Sequence, residues 1–93
     1  MRPLTPMRGL SLEQMVIVAD AVCERTDARI RSYPALAACA AVTHARLHGV
    51  SLHVDVIHMT RALREHVRAL RPLTHHNDVF SHVTSDILYD LNN

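Results

Sequence analysis

The sequence contains no lysine and no tryptophan, and its only aromatic residues are Tyr33, Phe80 and Tyr89. With so few large rings, a buried core has to consist mainly of aliphatic, alanine and methionine side chains, which suits close helix packing. Cysteine is also scarce. Cys23 and Cys39 form no CxxC motif and imply no disulfide framework, and each lies in an apolar helical pattern, where a thiol behaves as a small hydrophobic group.

The chain also lacks a large net charge and long hydrophobic runs. Ten basic residues, all arginine, stand against nine acidic ones, for a formal charge of +1. A net charge this small does not attract nucleic acid or an anionic membrane over long range. No uncharged stretch reaches the roughly 18 residues of a membrane-spanning helix, and no signal-peptide run follows the N-terminus. A cytoplasmic location without membrane association is the expectation.

A chain of 93 residues has room for one domain. Residues 1–10 carry Pro3, Pro6 and Gly9 and show no periodicity, so they are predicted to be an irregular lead-in. Residues 11–93 are predicted to form a single helical domain. The predicted fold class is all-α, a compact bundle of about four helices.

The first two helices have clear start signals. Ser11 followed by Gln14 is a capping box, which predicts a helix over 11–25. The sequence Ser-Tyr-Pro at 32–34 is a common helix start. Proline has no backbone N–H, and in the first turn of a helix that group would have no hydrogen-bond partner within the helix. The second helix is predicted to stop at Gly49, a natural residue for the position after a helix. Its expected buried positions are Leu36, Cys39, Ala40, Thr43 and Leu47.

The third helix has the clearest period and is predicted over about 54–70, with Pro72 marking its end. Residues 51–54 alternate apolar and polar side chains, which fits either a short extended piece or a loose first turn. The fourth helix is predicted to begin near Asn77 as N-cap, with Asp78 complementing the helix dipole. The expected buried positions are Val56, Thr60, Leu63, Val67 and Leu70 on the third helix, and Val79, Phe80, Val83, Ile87, Leu88 and Leu91 on the fourth.

Eight histidines are an excess for this length and raise the question of metal binding. His44 and His48 lie four residues apart on the second predicted helix, a spacing that lets two imidazoles face one ion. A third ligand would have to come from His75, His76, Asp78 or His82. Because the sequence contains no HExxH and no CxxC, we expect no metal or other cofactor, and His44 and His48 remain the only paired candidates.

A row of arginines is the best candidate interaction surface. Arg61, Arg64, Arg68 and Arg71 are spaced so that they form one stripe along the third helix. One interpretation is a solvated helix face, partly neutralised by Glu65 and by capping of the last carbonyls near Arg71. The alternative is a site for an acidic peptide or for phosphate groups, which guanidinium groups bind through two parallel hydrogen bonds. Nucleic acid fits less well, because there is no aromatic stacking platform.

The loop between the third and fourth helices carries a family resemblance. It consists of Arg71-Pro72-Leu73-Thr74-His75-His76-Asn77 and ends at a helix N-terminus, where an anion can be held. This arrangement of helix, short loop and helix resembles the active-site layout of the Fic/Doc (death-on-curing) family, in which the loop has the pattern H-P-F-x-D-G-N-x-R. The run Tyr-Pro-Ala-Leu-Ala-Ala-Cys-Ala-Ala at 33–41 and the ending at 89–92 also resemble the helices around that layout.

The resemblance implies an eroded motif. Pro72 and Asn77 match the family pattern and Leu73 is similar to its phenylalanine. The other positions depart from the pattern. Arg71 stands in place of the catalytic histidine, His75 in place of the acidic residue and His76 in place of the glycine. Asp78 occupies the position of the glycine or lysine after the asparagine, and Val79 occupies that of the anion-binding arginine. No residue is therefore assigned as catalytic.

Three functional hypotheses remain open at this stage. The resemblance implies a degenerate toxin component of a toxin–antitoxin pair, with little or no transfer of phosphate or AMP, that acts by binding a protein such as an antitoxin. A second hypothesis is a helical interaction module that holds an acidic partner through the arginine stripe. A third is a histidine-based metal-binding protein.

Overall fold

The computed structural model describes residues 7–47, 50–51 and 55–93. Within these residues the chain forms four α-helices and one minimal antiparallel pair of strands. The elements are α1 (Leu12–Arg25), α2 (Tyr33–Val42), β1 (Arg46–Leu47), β2 (Val50–Ser51), α3 (Val56–Leu70) and α4 (Asn77–Leu91). The predicted all-α fold with about four helices is therefore confirmed.

The start signals of the first two helices act as the sequence predicts. Ser11 Oγ accepts from the backbone N–H of Gln14 (3.1 Å), and Gln14 Oε1 accepts from the N–H of Ser11 (2.8 Å), which completes the capping box of α1. Ser32 is the N-cap of α2 and accepts from the N–H of Ala35 (3.1 Å), with Pro34 in the first turn. Both helices thus begin where local hydrogen-bonding chemistry favours a start.

The second helix ends earlier than predicted, at Val42 rather than near Gly49. Thr43 is its C-cap, and the hydroxyl of Thr43 donates to Ala40 O (2.7 Å) and accepts from the N–H of Leu10 (2.9 Å). A side chain that bonds to nearby backbone offers the chain an alternative to continuing the helix. The chain then enters β1, which pairs with β2. Of the alternating segment 51–54, Ser51 lies in the extended β2, and residues 52–54 lie outside the described residues.

Each helix packs against two others, and α4 returns to α1, which closes the bundle: the contacting pairs are α1 with α2, α2 with α3, α3 with α4, and α4 with α1. Full burial of one large aliphatic or aromatic side chain contributes about 1.5–3 kcal/mol. The shared core consists of Leu10, Met15, Ala19, Val22, Leu36, Cys39, Ala40, Met59, Leu63, Val67, Leu73, Phe80 and Leu88. Leu10 and Leu73 reach this core from outside the helices.

The buried face of α4 differs from the predicted one. Val79 and Val83 are 43% and 37% exposed, so their predicted burial is wrong, whereas Ser81, Thr84 and Ser85 are buried. The hydroxyl of Thr84 donates to Phe80 O (2.8 Å), and that of Ser81 donates to Asp78 O (2.7 Å). Because these two hydroxyls are satisfied inside the helix, small polar residues can face the core and let α4 approach its neighbours closely.

The lead-in segment is held against the ends of two helices. Residues 7–10 have no regular structure, as predicted, yet Leu10 is only 1% exposed. The backbone N–H of Arg8 donates to Asn92 Oδ1 (2.6 Å), and Asn92 Nδ2 donates to Arg8 O (2.9 Å). His44 Nε2 also lies 3.1 Å from Leu10 O. The segment is thus tied to the end of α2 and to the residue after α4.

Replacing Gly9 with alanine is expected to destabilise the protein by about 1–3 kcal/mol, because extra atoms in a filled space force backbone shifts. A Cβ at Gly9 would lie 2.5 Å from Thr43 Oγ1 and 2.6 Å from Thr43 O, and Thr43 is held in place by its own hydrogen bonds. The measurement is a thermal melt, and Arg8→Ala is the control because the Arg8 side chain is exposed. An unchanged melting temperature in Gly9→Ala would show that the segment shifts freely.

Candidate functional site

Two loops meet at one end of the bundle and are joined through their backbones. Residues 26–32 connect α1 to α2, and residues 71–76 connect α3 to α4. The N–H groups of Arg31 and Ser32 donate to Pro72 O (2.7 and 3.1 Å), and the N–H of Thr74 donates to Arg29 O (2.9 Å). Ile30 and Leu73 form an antiparallel bridge. We call this the loop ladder; it fixes the relative position of side chains that are more than forty residues apart in the chain.

The end of α3 is capped across this ladder. Arg31 Nε donates to Arg71 O (2.6 Å), and its Nη2 donates to Leu70 O. Arg71 is itself the C-cap residue and adopts left-handed backbone angles (φ 49°, ψ 65°). A charged donor on the exposed carbonyls of a helix C-terminus is favourable. The side chain that caps α3 is therefore that of Arg31, which leaves the Arg71 guanidinium exposed beside the loop.

Asn77 closes the loop that resembles the Fic/Doc motif. Its Oδ1 accepts from the N–H of Leu73 (2.9 Å), and its Nδ2 donates to Leu73 O (2.9 Å). Asn77 is the first residue of α4 rather than its N-cap; the N-cap is His76, which is left-handed (φ 62°) and makes no side-chain capping bond. Pro72 and Leu73 are buried. The Asn77 amide thus holds the loop in shape and is engaged with backbone on both of its polar atoms.

A carboxylate and two imidazoles converge beside the loop ladder. His75 Nε2 and His76 Nε2 each lie 3.0 Å from Asp27 Oδ1. The hydrogen bond to His76 is the main cause that lowers the pKa of Asp27 below its usual range. All three side chains are exposed. We call Asp27, His75 and His76 the Asp–His–His cluster.

Only one of the two histidines that the sequence pairs for metal binding lies among the described residues. His44 contacts the backbone of Leu10, and His48 lies outside the residues that the structure describes. His75 and His76, which the sequence offered only as a third ligand for that pair, instead meet Asp27. Nothing in the local pattern around Asp27 signals this contact, because it depends on the pairing of two distant loops.

The four predicted arginines lie along two adjoining grooves. Arg61, Arg64 and Arg68 line a groove of about 350 Å³ together with Ile57, Thr60 and Glu65. Arg68 also lines a second groove of about 250 Å³ with Arg71, His75, His76, Asn77 and Asp78. We call this continuous surface the arginine groove. It runs along α3 and ends at the Asp–His–His cluster.

The charges in the arginine groove are not neutralised within the part of the chain that the structure describes. None of its four arginines forms an ion pair there; the ion pairs are those of Asp27 with His75 and His76. Arg64 is half-buried, and its Nε is buried without a hydrogen-bond partner among the described residues. A buried donor without an acceptor costs about 1–3 kcal/mol, so a rotation of the Arg64 side chain that gives this N–H an acceptor in the groove would be favourable.

A third cavity, of about 620 Å³, lies on the other side of Asp27. It is lined by residues from the end of α1 and the following loop: Asp20, Cys23, Glu24, Thr26, Asp27, Ala28, Arg29, Ile30 and Tyr33. Burial, followed by the charge of Asp20, raises the pKa of the Cys23 thiol. Cys23 is therefore a protonated thiol at neutral pH, and this cavity carries no activated nucleophile.

Comparison of the chain with family models, curated proteins and solved structures finds no match. Among the residues that the structure describes, no helix has the length and apolar character needed to cross a bilayer.

Proposed function

We propose that this chain is a non-catalytic binding protein that holds an acidic segment of a partner protein in the arginine groove. The observation that carries the proposal is a row of four arginines, three on α3 and one at its C-cap. They have no carboxylate partners in the described residues, and one buried donor, Arg64 Nε, is unsatisfied. Guanidinium groups bind carboxylates through short, charge-assisted and often paired hydrogen bonds. A segment with carboxylates spaced along its length would complement this row.

The composition of the groove favours a protein partner over nucleic acid. Ile57 is exposed within it and offers an apolar contact, and among the described residues no phenylalanine, tyrosine or tryptophan lines either part. The formal charge of +1 supplies no long-range attraction to a polyanion. An acidic peptide that also carries an aliphatic residue matches both the charge and the apolar contact.

The resemblance to the Fic/Doc family suggests what kind of partner this would be. A degenerate toxin component would bind an antitoxin segment and would transfer no nucleotide group. Two features support the absence of transfer: the Asn77 amide is engaged by the backbone of Leu73, and Val79 stands where active relatives have an anion-binding arginine. The motif loop does border a groove, as a loop inherited from such an ancestor would.

Charge reversal of two exposed groove residues tests the proposal. A fluorescein-labelled peptide rich in glutamate and carrying one leucine is titrated with the protein, and binding is followed by fluorescence anisotropy at low and high salt. Arg61→Glu/Arg68→Glu is expected to weaken binding by about tenfold or more, because a hydrogen bond to a charged group contributes about 1.5–3 kcal/mol. High salt is expected to weaken wild-type binding, since it screens exposed charges.

A matched control separates the groove from net charge. Arg25→Glu/Arg29→Glu makes the same change in formal charge at two exposed residues outside the groove, and we expect it to reduce affinity only a few-fold. Thermal melts of both variants check that they fold. Equal losses in the two variants, or no binding of the peptide by the wild-type protein, would contradict the proposal.

A further inference from the structure

We propose that Asp27, His75 and His76 bind a divalent transition-metal ion, with Zn²⁺ the first ion to test. This site is independent of the partner-binding role of the arginine groove, although it lies at the end of that groove. It also differs from the pair His44 and His48 that the sequence suggested.

The spacing of the donor atoms fits one ion. His75 Nε2 and His76 Nε2 are each 3.0 Å from Asp27 Oδ1, and the donor atoms of all three residues lie within 4.8 Å of one another. Zinc bonds to histidine nitrogen and carboxylate oxygen measure about 2.0–2.2 Å, so two ligands of one ion lie roughly 3–3.5 Å apart. Small side-chain rotations would bring the third separation into the same range.

The donor types fit the same class of ion. Two imidazole nitrogens and one carboxylate oxygen are the donors that zinc and neighbouring divalent transition metals accept, whereas Mg²⁺ and Ca²⁺ prefer oxygen alone. Each imidazole would coordinate through Nε2 as the neutral ring with its proton on Nδ1. Three protein ligands leave at least one coordination position, which water or a carboxylate from outside the chain can occupy.

The cluster is held in position before any ion arrives. The loop ladder joins the two loops that carry the ligands, through the backbone bonds of Arg31, Ser32 and Thr74. The left-handed backbone of His76 follows directly after His75, and the two rings lie with centroids 5.1 Å apart and planes at 70°. All three side chains are exposed, so an ion can enter without opening the core. The loop backbones are therefore already in position, and binding has to order only the exposed side chains.

The test uses tag-free protein in a Cys23→Ser background, which removes the thiol nearest the cluster as a competing ligand. Zinc binding is measured by isothermal titration calorimetry and by the melting temperature, and cobalt binding by its visible absorption. We expect one equivalent of Zn²⁺ to bind and to raise the melting temperature by about 5 °C or more at saturation, because the ion binds the native state.

Three variants remove the ligands one at a time: Asp27→Asn, His75→Gln and His76→Asn. Asparagine is chosen at position 76 because it tolerates left-handed backbone angles better than other non-glycine residues, so the loop should keep its shape. Each variant is expected to lose at least tenfold in zinc affinity and most of the zinc-induced melting shift. His82→Gln removes an exposed histidine of α4 outside the cluster and is expected to change the affinity less than twofold.

Melting temperatures of the metal-free variants show whether each one folds, so a lost ligand is distinguished from a lost fold. The proposal is overturned if wild-type protein binds no Zn²⁺ at one equivalent, or if His75→Gln or His76→Asn binds as tightly as wild type. It is also overturned if Asp27→Asn has no effect, because the carboxylate would then only hold the two histidines by hydrogen bonds. Loss of peptide binding in the Arg61→Glu/Arg68→Glu variant with zinc binding intact would show that the two sites act separately.

Discussion

Replacing Asn77 with alanine is expected to lower the free energy of unfolding by about 2–4 kcal/mol, because two buried backbone groups lose their partners at once. The Asn77 amide accepts from the N–H of Leu73 and donates to its carbonyl, both at 2.9 Å, and Leu73 is fully buried. The remaining alanine can replace neither bond. Urea denaturation followed by circular dichroism at 25 °C measures the change.

The control for this prediction is Asn93→Ala, the same substitution at an exposed terminal residue, which is expected to change stability by less than about 0.5 kcal/mol. A loss below 1 kcal/mol in Asn77→Ala would mean that the loop finds other partners for Leu73. The result also bears on the motif resemblance, because it measures how strongly Asn77 serves the structure of the loop. A large loss would mean that activity assays on this variant report folding rather than chemistry.

Stability is expected to fall by about 2–3 kcal/mol between pH 9 and pH 11 because of the Cys39 thiol. Burial raises the pKa of Cys39 from 9.0 to about 11. In the unfolded chain the thiol loses its proton near pH 9, whereas in the folded chain it keeps it until about pH 11. Between these values the unfolded state binds fewer protons, so raising the pH favours unfolding; below pH 9 the contribution is constant.

Urea denaturation of wild type and Cys39→Ala, under reducing conditions from pH 8 to pH 11, tests this expectation. Cys39→Ala should be less stable at pH 8, because it leaves a small cavity, but its stability should fall less steeply above pH 9. The contributions of the other ionisable groups are common to both proteins and cancel in the difference. Cys23→Ala serves as the control and should keep most of the alkaline loss. Identical slopes for wild type and Cys39→Ala would refute the assignment.

Local signals predicted most helix boundaries to within about two residues, but not the end of α2 or the buried face of α4. The Ser11 and Gln14 capping box and the Ser32 cap were recognisable because each motif lies within four residues. The end of α2 was not, because it depends on Thr43 bonding to Leu10, thirty-three residues away. The face of α4 was predicted from apolar residues alone, and that rule fails where Ser81 and Thr84 satisfy their hydroxyls within the helix.

The sequence predicted the arginine row of the candidate site, but it did not predict the contact between Asp27 and the two histidines. The arginine spacing predicted one stripe along α3; in the structure Arg61, Arg64 and Arg68 line one groove, and Arg68 and Arg71 line the next. The excess of histidine raised metal binding and led to the pair His44 and His48, of which His48 lies outside the described residues, because helical spacing relates only residues of one helix. The Asp–His–His cluster arises from the loop ladder, which brings Asp27 to residues almost fifty positions later.

The two proposals meet at one place on the molecule. His75 and His76 line the same groove as Arg68 and Arg71. A carboxylate of an acidic segment bound along α3 would therefore lie close to the open coordination position of a metal ion held by the cluster. Repeating the peptide titration with and without Zn²⁺ would measure any coupling, and the coupling would be equal in both directions.

The bond between Arg8 and Asn92 has a consequence for how the protein is made. Arg8 and Asn92 are 84 residues apart in the chain, so the two segments cannot join until residue 92 has left the ribosome. Helices α2 and α3, which are neighbours in sequence and in space, can pair while the ribosome is still adding α4.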